Sequence, residues 1–175
     1  IAALCFLAVT STGCKKAQLR RQLKELMGST IVMPEKISCV YNGEVYPMPD
    51  SLREKAKLII YIDSSECTTC RISHLEMYRS AWEYGQRTKM YELLIVFEPV
   101  QFGSISLLRY LSDIDFSFPL YLDDESEFFA INTAISRDAR FHGFFTDKSN
   151  VIRLVGDPAK NPGFFELIRN TTYFQ

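Results

Sequence analysis

Lys57-Leu58-Ile59-Ile60-Tyr61-Ile62-Asp63-Ser64-Ser65-Glu66-Cys67-Thr68-Thr69-Cys70 carries an apolar run straight into a closely spaced pair of cysteines. The run has the length and residue types of a buried strand, and the segment after it reads as helix. A thiol pair at such a strand-to-helix junction is the layout of a thiol–disulfide redox site. The helix N-terminus offers partial positive charge and unpaired N–H groups, which favour the thiolate, the reactive form of cysteine. One helical turn then places Cys70 on the same side as Cys67, within reach of a mixed disulfide formed there. Structural zinc would need four ligands, and no second CxxC or HxxxH is present to supply them. The other reading is a pair of inert core cysteines.

Working outward, Lys15 to Met27 has Leu19, Leu23 and Leu26 with basic residues between them, an amphipathic helix or stalk ended by Gly28. Thr30–Met33, Ile37–Tyr41 and Glu44–Tyr46 read as short strands, the last two joined by the hairpin dipeptide Asn42-Gly43. After strand Lys57–Ile62 comes a long helix from Cys67 to about Arg87. A second buried strand, Tyr91–Phe97, is followed by a helix over Ser104–Ser112 and a third strand, Phe118–Leu122. A short helix spans Glu125–Ile131. Gly143–Asp147 and Val151–Val155 form an antiparallel hairpin, and a helix covers Pro162–Arg169. This β-α-β-α-β order with a closing hairpin predicts a mixed α/β three-layer sandwich, with parallel core strands and a C-terminal antiparallel hairpin.

The chain of 175 residues has 20 Lys+Arg against 21 Asp+Glu, for a net charge of −1, and its basic residues are scattered. Nothing in that balance suggests nucleic acid. At its start, Ile1 to Val9 is an uncharged apolar run too short to span a bilayer, and it leads into Ser11-Thr12-Gly13-Cys14. This reads as a secretory signal segment, and the small residues before Cys14 resemble the lipobox of bacterial lipoproteins. Cys14 would then be the lipidated first residue of the mature chain, although Ser11 stands where Leu is usual. The resulting division is 1–14 signal segment, 15–29 amphipathic stalk and 30–175 one domain. Cys5 would be removed, leaving Cys39, Cys67 and Cys70 as thiols.

Taken in order, three further stretches join the Cys67–Cys70 segment: Phe118-Pro119-Leu120-Tyr121-Leu122-Asp123, Arg140-Phe141-His142-Gly143-Phe144-Phe145-Thr146-Asp147, and Val155-Gly156-Asp157-Pro158. Together they resemble thioredoxin-like domains of the redoxin/TlpA type, and more closely the thioredoxin-fold lipoproteins of Bacteroides-type bacteria. The resemblance implies a membrane-anchored, periplasm-facing thiol–disulfide oxidoreductase acting on a cysteine-containing protein partner, with no organic cofactor and no metal. Cys67 would attack and Cys70 resolve, with Glu66, Thr68, Thr69, Phe141 and His142 around the substrate groove. Glu66 stands where that family usually has Trp, and an acid there opposes ionisation of Cys67. Phe141 aligns with the family's cis-proline. His74 falls on the stripe of Cys67 and Cys70. Two rivals draw on the same residues: a copper-binding module of the Sco type using Cys67, Cys70 and His142, suited to Cu(I), and a peroxidase with Ser64 three positions before the reactive Cys67. A non-catalytic interaction domain is the fourth reading.

Overall fold

The computed structural model describes residues 16–99, 103–114 and 116–170. The signal segment, Cys5 and Cys14 lie outside them. Residues 16–26 form helix α1, and Gly28 ends it with φ +86°. Strands β1 (Ile37–Tyr41) and β2 (Glu44–Pro47) follow, then β3 (Lys57–Ile62), α2 (Thr68–Ser73), α3 (Arg79–Thr88), β4 (Glu92–Phe97) and α4 (Ser104–Ser112). The chain continues through β5 (Leu120–Asp123), α5 (Phe128–Ile131), β6 (Gly143–Thr146), β7 (Ile152–Val155) and α6 (Pro162–Asn170).

The strands form one sheet in the order β2-β1-β5-β4-β3-β6-β7. β3, β4 and β5 run parallel, while hairpins β1–β2 and β6–β7 add antiparallel strands at the two edges. At the first hairpin, Asn42 and Gly43 both take positive φ, 53° and 75°, which the dipeptide accommodates at little steric cost. After their first residues, Lys57 and Glu92, β3 and β4 are apolar on both faces, and both faces are covered. Leu58, Ile60 and Ile62, with Leu93, Ile95 and Phe97, meet Ile72, Leu75, Leu107, Leu111, Phe164 and Ile168 from the helices on one side. Ile59, Tyr61, Leu94 and Val96 meet Leu26, Phe128, Phe129 and Phe141 on the other. Leu26 therefore docks the C-terminal end of α1 on the domain.

Two expectations need correction. Thr30–Met33 makes a single bridge, Thr30 to Val151, and no strand. The long helix after Cys67 is broken: His74 takes φ −108° and ψ 9°, and a 3₁₀ turn, Leu75–Tyr78, separates α2 from α3. The tighter turn eclipses residues three apart, so Leu75 and Tyr78 are both buried against the same core. The Ser73 hydroxyl donates to the Cys70 carbonyl oxygen at 2.8 Å, and His74 Nδ1 lies 2.6 Å from that oxygen, closing the end of α2.

Two fold-level outcomes are expected. A Cβ on Gly143 would stand 2.2 Å from the backbone oxygen of Gly156. Gly143→Ala is thus expected to cost about 1–3 kcal/mol, as overpacking does, read from the urea unfolding midpoint. Lys57 begins β3 fully buried, its ammonium donating to the carbonyls of Arg53 and Lys55 and to Asn150 Oδ1. Burial, with Arg53 adding repulsion, lowers its pKa from 10.5 to about 8. Between those values the unfolded chain holds a proton that the native state has released, so stability should rise with pH from about 8 to 10. Tyr61, Tyr78, Tyr91 and Tyr121, raised by burial, act the opposite way above their ordinary value of 10.0. Unfolding midpoints measured across that range should lose the rise in Lys57→Met.

Candidate active site

β3 ends at Ile62, and at Asp63 the chain must turn out of the sheet. The Asp63 carboxylate supplies the turn, with Oδ1 accepting from the Ser65 N–H at 3.1 Å and the Ser65 hydroxyl at 2.6 Å. The buried Glu98, just past β4, accepts the Ser64 N–H at 2.8 Å. Two carboxylates from neighbouring strand ends therefore fix the loop that delivers Cys67.

Cys67 is exposed and caps α2. Its sulfur accepts the Cys70 N–H at 3.3 Å and lies 3.5 Å from the Thr69 hydroxyl. Cys70 is exposed as well, and the two sulfurs are joined as a disulfide, with Cα atoms 5.2 Å apart. Of the two intervening threonines, Thr69 faces the sulfur and Thr68 is buried. A cleft of about 250 Å³ opens beside the disulfide, lined by Thr68, Thr69, Ile72, Ser106, Leu107 and Tyr110. The α4 residues in that lining were not singled out in the sequence, where α4 reads as a crossover helix. Of these, Tyr110 is a large side chain left 45% exposed on α4.

Glu66 is not a free charge beside Cys67. Its Oε2 lies 3.6 Å from Arg71 Nε and 3.7 Å from Lys160 Nζ. Arg71 also donates to Tyr78 Oη at 2.9 Å and to Asp157 Oδ2 at 3.3 Å, and Tyr78 Oη donates to the same oxygen at 2.9 Å. Burial works against the Arg71 charge, but Tyr78, Glu66 and Asp157 outweigh it and raise its pKa. The network ties α2 to the loop between β7 and α6.

Phe141 and His142, aligned with the substrate groove, are both buried, Phe141 within the core beneath β6. His142 Nε2 lies 3.0 Å from the Ser136 carbonyl oxygen, and Nδ1 lies 4.0 Å from Asp63 Oδ2. Its backbone carbonyl accepts the Tyr61 N–H, which leaves β6 in register beside β3. His74 caps the end of α2. Arg140 pairs with Asp138, whose carboxyl is lowered to about 2 chiefly by that hydrogen bond. Ser64 and Arg71 are engaged with Glu98 and Glu66 respectively. Cys39 is buried in β1, its thiol raised by burial and eased by Tyr46 and Tyr121. Among the described residues, the group of metal-capable side chains that converges is Asp63, Glu66 and His142, and it includes neither cysteine of the pair.

No protein-family model and no curated protein matches the sequence. Solved structures do. A candidate thiol-disulfide oxidoreductase from Bacteroides vulgatus superposes with a TM-score of 0.55 at 18% identity, covering 83% of this chain and 96% of that one. A candidate thiol:disulfide interchange protein DsbE from Chlorobium tepidum gives 0.52 at 14%, covering 81% and 96%. AhpC of Enterococcus faecalis gives 0.55 at 12%, covering 82% and 89%. The chain has the thioredoxin-like fold, and its cysteine pair stands where the loop after β3 enters α2.

Proposed function

We propose that the protein is a thiol–disulfide oxidoreductase whose reacting group is the Cys67–Cys70 pair. The observation that carries the reading is the exposed disulfide at the start of α2, with the Cys70 N–H aimed at the Cys67 sulfur. In the reducing direction, the Cys67 thiolate attacks one sulfur of a partner disulfide, breaking that S–S bond and releasing one partner thiolate. The Cys70 thiolate then attacks Cys67 Sγ, closing the pair and releasing the second partner thiolate. Two electrons pass to the partner. Oxidation of a partner dithiol is the same sequence reversed.

The cleft beside Thr68, Thr69 and Tyr110 gives the partner's side chains near its cysteine an apolar seat. Phe141 and His142 are buried and do not line that cleft. AhpC's superposition shares the fold alone and carries no peroxidase assignment to this chain. The lipid-anchored, periplasm-facing placement belongs to this proposal. It rests on the Ser11-Thr12-Gly13-Cys14 pattern.

Thiol trapping across a glutathione redox series, read by mass spectrometry, is expected to give one two-electron step. That step should vanish in Cys67→Ser, with Cys39 unlabelled until unfolding. Thiols that stay inert in the native protein would end the oxidoreductase reading. For the anchor, detergent phase partition of the protein from its own cells should place it in the detergent phase, and Cys14→Ala in the aqueous phase. Wild-type protein in the aqueous phase would remove the anchor from the proposal.

A further inference from the structure

In the loop that leads from β3 to the cysteine pair, Asp63 and Glu66 converge on His142. His142 is 2% exposed, Asp63 2%, and the Glu66 side chain 14%. One ligand atom from each lies within 4.8 Å of the other two. The tautomer of His142 follows from its partner: Nε2 faces the carbonyl oxygen of Ser136, which can only accept, so Nε2 carries the proton. With the ring neutral, Nδ1 is then a bare lone pair. It is buried without a hydrogen-bond partner and lies 4.0 Å from Asp63 Oδ2, too far for a hydrogen bond. Glu66 Oε1 is likewise buried without a partner, while Oε2 takes the ion pairs with Arg71 and Lys160.

Buried acceptors aimed at one another are costly unless something electropositive stands between them. We propose that Asp63, Glu66 and His142 bind a divalent transition-metal ion, with Zn²⁺ the best match. One imidazole and two carboxylates are a borderline nitrogen and hard oxygens, a three-ligand set that leaves a fourth position for water. The second shell has the arrangement that holds such ligands. Ser136 fixes the imidazole through its far nitrogen, and Ser65 fixes the Asp63 carboxylate through Oδ1. Ligand atoms about 2.0–2.2 Å from zinc stand about 3–4 Å from one another. Closure on the ion therefore draws the groups together by about an ångström, and the partly exposed Glu66 can supply most of that movement. The site uses no sulfur and does not depend on the thiol reading.

The test is a Zn²⁺ titration of the full chain with the Cys67–Cys70 disulfide closed, so that thiolates cannot bind the ion, read by competition with a chromophoric chelator. One equivalent should bind. Asp63→Asn, His142→Gln and Glu66→Gln should each weaken binding tenfold or more, while a Cys67→Ser/Cys70→Ser double variant binds as the wild type does. Glu66→Gln lies nearest the surface and decides the matter if the two buried variants do not fold. Absence of a saturable single equivalent overturns the proposal. So does retention of wild-type affinity in Glu66→Gln, which would put the ion elsewhere.

Discussion

Confinement of β3 is the constraint on which the rest of the molecule depends. β4 pairs with it along its whole length on one side and β6 on the other. Both of its faces are covered, so every residue from Lys57 to Ile62 is buried. A strand held this way has one fixed exit, and what leaves there is held to the same precision. Asp63 and Glu98 turn that precision into a loop geometry by accepting the N–H and O–H groups that the turn would otherwise leave unpaired. The cysteines are thus placed by hydrogen bonds to two buried carboxylates, with the helix after them adding little length of its own.

Enclosure also explains which parts could be read from the sequence. A strand covered on both faces reads as a near-continuous apolar run, and Leu58–Ile62 and Leu93–Phe97 announce themselves for that reason. Asn42-Gly43 is legible because positive φ at two successive positions admits few residue types. The break at His74 is not legible, since no Gly or Pro marks it. It arises because Leu75 and Tyr78 gain a shared core by tightening one turn, and because Tyr78 reaches Asp157, 79 residues away. Local pattern has no access to a partner so distant. The same limit hides the convergence of Asp63 and Glu66 with His142, which only the pairing of β3 with β6 brings together.

The site shows a difference of kind between charge read along the chain and charge read in space. Along the chain, Glu66 is an acid adjoining a cysteine and opposes its ionisation. In space its Oε2 is offset by two cations, Arg71 and Lys160, which come from α2 and from the loop after β7. The local field at Cys67 is therefore set by a group of charges that sequence adjacency does not reveal, together with the Cys70 N–H at 3.3 Å.

Glu66 consequently faces two environments with its two oxygens. Oε2 belongs to the cationic network on Asp157 and Tyr78, and Oε1 belongs to the buried group with Asp63 and His142. A side chain whose two oxygens are claimed on opposite sides cannot move toward one without loosening the other. A cation bound on the buried side, as proposed, would thereby bear on the ion pairs that position α2. Since α2 carries Cys70 and is capped by Cys67, the electrostatics beside the cysteine pair and the packing that presents it are one coupled problem. Glu66, directly before Cys67 in the chain, is where the two meet.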